Sequence, residues 1–227
     1  MSTIAERWAA VKARVDEACE RAGRAPSEVT LVAVSKTHPA SSVREAAAAG
    51  ATDFGENYAQ ELADKRAELP ELRWHYIGRL QRNKAKLVAG HVALVHAVDT
   101  VELAAELGKR AGGAVQPILL AVNLAGEATK GGVTGEGALA LARAISGVAG
   151  VRLDGLMTMP PPSDDAESSR PYFAGLRGLR DRLADALGQP LPVLSMGMSG
   201  DFEVAIACGA THVRIGTAIF GERAYHG

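Results

Sequence analysis

A lysine at the end of an apolar run is a candidate nucleophile, and this chain carries one in Leu31-Val-Ala-Val-Ser-Lys36, shortly before Pro39 turns the backbone away. Side chains alternate along a strand, so Val32, Val34 and Lys36 share one face while Leu31, Ala33 and Ser35 share the other. Held inward at a strand end, an ammonium loses hydration and its pKa falls. The neutral amine can then condense with a carbonyl to form a Schiff base. The plainer reading is a lysine that snorkels from the strand end into water.

Two further segments have the composition of anion-binding loops. Ser195-Met-Gly-Met-Ser-Gly-Asp201 and Arg214-Ile-Gly-Thr217 each follow a short apolar run and open a helical one. Their glycines let backbone N–H groups approach an anion, helix starts direct partial positive charge at it, and Ser199 and Thr217 add hydroxyl donors. Each loop alone also reads as ordinary N-capping, with Ser199 or Asp201 satisfying orphan amides. Two such loops together with a strand-end lysine suit a ligand that carries both a phosphate and an aldehyde. Arg214, set among Val213, Ile215 and Ile219 and on the same strand face as His212, is costly to bury alone, so it should meet a ligand or a carboxylate.

Other chemistry finds less support. The six histidines show no HExxH or comparable spacing, and Gly197-Met-Ser-Gly-Asp201 has Asp where a hydrolase elbow needs its second glycine. Cys19 and Cys208, without CxxC spacing, read as packed free thiols. Arg79, Arg82, Lys84 and Lys86 read as a solvated basic face, and Met157 and Met159 as core or as the wall of a flat aromatic site.

The elements that must position these groups follow from periodicity. An amphipathic helix over Thr3–Arg21 carries Ile4, Trp8, Val11, Val15, Cys19 and Ala22 at three- and four-residue intervals. Eight short apolar runs come next, at 31–34, 52–54, 74–77, 92–95, 115–122, 151–157, 193–195 and 212–215, each followed by a helical candidate. Strands separated by helices pair in parallel, and eight such units close a barrel whose loops after strands 7 and 8 commonly hold phosphate. The competing open sheet lacks a GxGxxG or GxxxxGK[ST] fingerprint. The expectation is one α/β domain over residues 1–227, a (β/α)8 barrel with an extra N-terminal helix.

Charge nearly cancels, at 25 Lys plus Arg against 26 Asp plus Glu, which excludes a broad footprint for nucleic acid or anionic membrane. Small molecules are the expected partners. The charged N-terminus and the lack of a long apolar run predict a cytoplasmic chain, and the lack of an apolar exposed stripe predicts a monomer.

On these motifs the sequence resembles, over nearly its whole length, the pyridoxal phosphate homeostasis proteins, single-domain relatives of the alanine racemase barrel. Val34-Ser-Lys-Thr37 matches the family's lysine segment, Phe54-Gly-Glu-Asn-Tyr58 its second-strand motif, and His75-Tyr-Ile-Gly78 with Leu80-Gln81 and Asn83-Lys84 its third. Asn123, Glu127, Lys130 and Gly132 fit the fifth loop, Gly155-Leu-Met157 the sixth strand, and the runs 195–201 and 213–221 the phosphate-binding end. Arg79 departs from the smaller or rigid residue of many relatives.

The resemblance implies that Lys36 holds pyridoxal 5′-phosphate as an internal aldimine and that Ser199, Gly216 and Thr217 grip its phosphate. Arg214 would face the pyridine nitrogen, with Asn57, Met157 and Ser195 near the cofactor. It further implies a protein that buffers the cofactor and delivers it to pyridoxal phosphate-dependent apoenzymes without substantial turnover. An amino-acid racemase of slow activity and a Schiff-base aldolase are the alternatives. Racemases of this fold carry a second, β-rich domain with a catalytic tyrosine, which a chain ending at Gly227 is expected to lack.

Overall fold

The computed structural model describes residues 2–126 and 131–222. Its first helix, α1 (Ile4–Arg21), begins at a reciprocal cap in which Thr3 Oγ1 accepts from the Glu6 N–H and Glu6 accepts from the Thr3 N–H. It ends where Gly23, at φ +67°, takes the left-handed conformation that lets the Arg24 N–H return to the Cys19 carbonyl. Trp8, Val11, Val15, Ala18 and Cys19 form its buried stripe, at the spacing the sequence predicts.

Eight strands then close into a parallel barrel in chain order. They are β1 (Thr30–Val34), β2 (Asp53–Glu56), β3 (Arg73–Tyr76), β4 (Leu94–Val98), β5 (Gln116–Ala121), β6 (Val151–Met157), β7 (Val193–Ser195) and β8 (His212–Ile215). The crossovers are α2 (Ala40–Ala48), α3 (Ala59–Glu68), α4 (Val101–Arg110), α5 (Ala138–Ser146), α6 (Arg170–Leu187) and α7 (Phe202–Ala207), and α8 (Thr217–Phe220) follows β8. The expected (β/α)8 barrel with an additional N-terminal helix is therefore present, and α1 packs on α2, α7 and α8. One unit differs: β3 is followed by a 3₁₀ segment, Arg82–Leu87, in place of an α-helix. Strand β4 also starts later than its apolar run suggests and continues through His96, the polar residue at which that run stops.

The outer strand faces carry the apolar residues. Leu31, Ala33, Phe54, Trp74, Val213 and Ile215 pack against the helical layer. The inner face is split. Leu94, Leu119, Ala121 and Met157 form a small apolar cluster, whereas the rest of the barrel interior holds polar residues from β2, β3, β4, β7 and β8. Gly155 permits the close β6–β7 approach, since a Cβ there would lie 1.9 Å from the Val193 carbonyl oxygen. Cys19 and Cys208 are buried free thiols, and burial pushes both pKa values up. Among the described residues, no helix is long and apolar enough to cross a membrane.

Candidate functional site

The C-terminal strand ends surround a cavity of about 390 Å³, within the roughly 300–1,000 Å³ of small-ligand sites. Lys36, Asn57, Met157, Ser199, Arg214, Gly216 and Thr217 all line it. Seven of the residues named from the sequence, from five βα junctions, thus lie on one surface.

Lys36 lies two residues past the end of β1, on the face it shares with Val34, and the backbone around it is held from both sides. On one side, the Ser35 hydroxyl donates to Glu56 Oε1 at 2.7 Å and the Ser35 carbonyl accepts from Lys65 Nζ at 2.7 Å. On the other, the Thr37 N–H donates to Glu61 Oε1 at 2.6 Å. Lys65 joins the two carboxylates, at 2.6 Å from Glu56 and 2.8 Å from Glu61. Burial pushes the Glu56 carboxyl up despite this cation, so desolvation outweighs the pairing. Within this clamp Thr37 adopts φ +67°, which is strained for a β-branched residue.

The far end of the cavity is built by the two glycine loops. Gly197, at φ +93°, turns the first loop, where a Cβ would lie 2.6 Å from Ala205 Cβ. Asp201 shapes that loop by accepting from the Met198 N–H at 2.7 Å and from the Ser169 hydroxyl at 2.9 Å. It occupies the N-cap position of α7 without capping the helix through its side chain, so the plain capping reading does not account for it. Ser199 Oγ accepts from the Ala218 N–H at 3.5 Å, which ties the β7 loop to the β8 loop. The helices behind these loops have only six and four residues, so macrodipoles give less than the sequence pattern suggested. An anion placed there would meet hydroxyls and local N–H groups.

The floor is Arg214. Its guanidinium is buried, donates to Ser195 Oγ at 2.6 Å and to the Thr158 carbonyl at 3.0 Å, and is pushed down to about 10 by burial. Both hydrogen-bond acceptors are neutral. Among the described residues no ion pair holds it, so the structural pair that sequence left open is not found there, although Asp201 contributes a longer-range attraction.

Ser195 departs from its expected place. It is fully buried beneath Arg214 and lies outside the cavity lining, because it is the last residue of β7 and points into the barrel interior. Arg79 also departs: it leaves the basic face and lines the cavity with Asp99, while Arg82, Lys84 and Lys86 stay exposed on the 3₁₀ segment. Glu127 and Lys130 lie outside the described residues. Sequence reasoning missed Asp99, the Glu56–Lys65–Glu61 clamp and a histidine cluster of buried His75 and His96 with partly buried His212. Strand alternation held the available signal, since His212 shares the inward face of Arg214.

A pyridoxal phosphate would suit the donor set. The cavity wall contains an unpartnered buried acceptor, Asn57 Oδ1, together with a buried cation, an amine and two hydroxyls.

Comparison with known proteins agrees with this fold. The profile of the family described as alanine racemase, N-terminal domain, matches residues 7–224. The pyridoxal phosphate homeostasis protein of Pseudomonas aeruginosa is 49% identical over 99% of this chain and 98% of its own. The structure of PipY from Synechococcus elongatus, with PLP bound, superposes with a TM-score of 0.83 at 39% identity, covering 96% of this chain and all of that one. Alanine racemase from Corynebacterium glutamicum shares the fold alone, at TM-score 0.68 and 19% identity over 93% of this chain and 60% of its own. With a full-length profile match and close relatives over almost every residue, the chain belongs to the pyridoxal phosphate homeostasis protein family, on the alanine racemase N-terminal barrel.

Proposed function

We propose that this protein binds pyridoxal 5′-phosphate through Lys36 and serves as a reservoir that hands the cofactor on, without turning over a substrate of its own. The observation that carries this reading is the convergence of Lys36, Arg214, Ser199 and Thr217 on one cavity of cofactor size. The names of the relatives support it.

When bound, the cofactor supplies an aldehyde carbon for an amine and a pyridine ring that can delocalise charge. Lys36, fixed by its flanking clamp, presents the amine. Ser199, Gly216 and Thr217 hold the phosphate, and Asn57 Oδ1 accepts from a polar group on the ligand. Met157 packs against the ring. Arg214 faces the ring nitrogen, with Ser195 behind it. A cation there disfavours protonation of that nitrogen and makes the ring a poorer electron sink than one facing a carboxylate. That property suits storage better than turnover. The chain acts as one monomeric cytoplasmic domain over residues 1–227, and its partners are the cofactor and pyridoxal phosphate-dependent apoenzymes.

The test combines spectroscopy with proton exchange. Protein incubated with the cofactor should gain a visible absorbance band that Lys36→Ala lacks, and it should restore activity to an apo-aminotransferase. α-Proton exchange of a panel of amino acids, followed by NMR, should stay near background. Exchange at enzymatic rates that disappears in Lys36→Ala would make the protein a racemase-type enzyme, and the absence of any band would favour an aldolase.

A further inference from the structure

We propose that Asp53, His75, His96 and Ser195 form a one-way hydrogen-bond chain through the barrel that positions Arg214 for the bound ring. This rests on the reading that Arg214 faces the ring nitrogen. The links are Asp53 Oδ1 to His75 Nε2 at 2.8 Å, His75 Nδ1 to His96 Nε2 at 3.0 Å, His96 Nδ1 to Ser195 Oγ at 2.7 Å, and Arg214 to Ser195 Oγ at 2.6 Å. All four residues of the chain are buried, and none lines the cavity.

The direction follows from the chemistry of the ends. A guanidinium only donates and a carboxylate only accepts, whereas a neutral imidazole has one donor and one acceptor nitrogen. With both histidines neutral, one arrangement satisfies every link. Arg214 donates to Ser195, Ser195 to His96 Nδ1, His96 Nε2–H to His75 Nδ1, and His75 Nε2–H to Asp53. Other arrangements need an added proton: an imidazolium at His75 donates both ways and leaves His96 with its hydrogen on Nδ1, or an imidazolium at His96 itself donates both ways, and in either case Ser195 accepts from both sides. Burial first, then the positive neighbours, hold His96 far below the usual imidazole range, which disfavours the imidazolium at His96, and the histidine tautomers separate the neutral arrangement from the one with His75 charged.

The surrounding charges are compatible with that arrangement. Arg73 lies 3.3 Å from Asp53 Oδ1, and the Thr52 hydroxyl donates to Asp53 Oδ2 at 2.8 Å. His212 packs 5.8 Å and 6.0 Å from the His75 and His96 rings and is bound to Thr211 Oγ1. Asp201, in the loop after β7, attracts Arg214 at longer range. The consequence for Arg214 is specific. A neutral hydroxyl, whose own hydrogen is committed elsewhere, fixes the guanidinium without neutralising it, as a carboxylate at 195 would. The compensating anion, Asp53, sits at the far end of the chain, at the start of β2. Ser195 and the three residues behind it are thus positioning residues for the cation that meets the ring.

Long-range 1H–15N correlation spectra of the full-length protein, with and without cofactor, test the direction. His75 and His96 should each carry hydrogen on Nε2 and none on Nδ1, and hydrogen on His96 Nδ1 would overturn the chain. The pH midpoint of the visible band of the loaded protein tests the consequence. Ser195→Ala and Asp53→Asn should each move it by about one pH unit, and Ser195→Thr, which keeps the hydroxyl, should restore it. If Arg214→Glu moves the midpoint while Ser195→Ala and Asp53→Asn do not, the chain is refuted and the ring placement stands. If Arg214→Glu leaves the spectrum unchanged, the ring placement itself fails.

Discussion

A hydroxyl facing a phosphate contributes a charge-assisted hydrogen bond of about 1.5–3 kcal/mol. At about 1.4 kcal/mol per decade, Ser199→Ala or Thr217→Ala should therefore weaken cofactor retention roughly ten- to a hundredfold in equilibrium dialysis. Lys36→Ala should lose the visible band and still retain the cofactor noncovalently. These residues were legible because each lies at a strand end within a short motif of its own. The histidines were not, nor was the place of Ser195 beneath Arg214, because both depend on neighbours across the barrel that no local window contains. Those histidines carry a pH prediction. Burial holds His96 far below the usual range and His212 at about 3, so the unfolded chain takes up protons first as pH falls. Stability should be full above the unfolded value of about 6.5 and fall below it by up to about 2.7 kcal/mol per pH unit for the two groups together. Urea unfolding at pH 7.5 and 5.5 checks this, and His212→Gln should reduce the slope by about half.

At the scale of elements, the lysine loop is set by α3, a helix that does not line the cavity through any charged side chain. Lys65 is almost fully buried between Glu56 and Glu61, so Lys65→Met leaves one wholly buried carboxylate without its cation. The expected cost is about 3–5 kcal/mol in denaturant unfolding, with slower appearance of the visible band on adding cofactor. Replacing Glu56 with Gln in the same chain should recover part of that loss, because a neutral amide needs no cation. Most elements could be read from periodicity. The three- and four-residue spacing of Ile4, Trp8, Val11, Val15 and Cys19 marked α1, and the apolar run 151–157 marked β6. The clamp could not be read, because a Lys at that position on an amphipathic helix looks like an ordinary solvent-facing residue until its partners from β1 and β2 are folded against it.

Across the whole molecule, the barrel order was legible from the repetition of eight units, while the differing quality of its seams was not. β7 has three residues and is in register with β8 at a single pair, Ser195↔His212. Three backbone bonds, Thr211 to Leu194, Met196 to His212 and Arg214 to Gly197, hold that seam. The two glycine loops leave these neighbouring strands at the same end of the barrel, and the contact between Ser199 and Ala218 bridges them beyond the strand ends. A bound phosphate would span the same gap. Hydrogen exchange should then be slower at the amides of Met196, Thr211 and Arg214 in loaded protein, by about a hundredfold at a hundredfold excess of cofactor over its Kd. In kinetic terms, the thinnest seam becomes the timer of the reservoir. Breathing of β7 against β8 parts Ser199 from Thr217, so the dwell time of the phosphate should follow the local opening rate of that seam and not global unfolding.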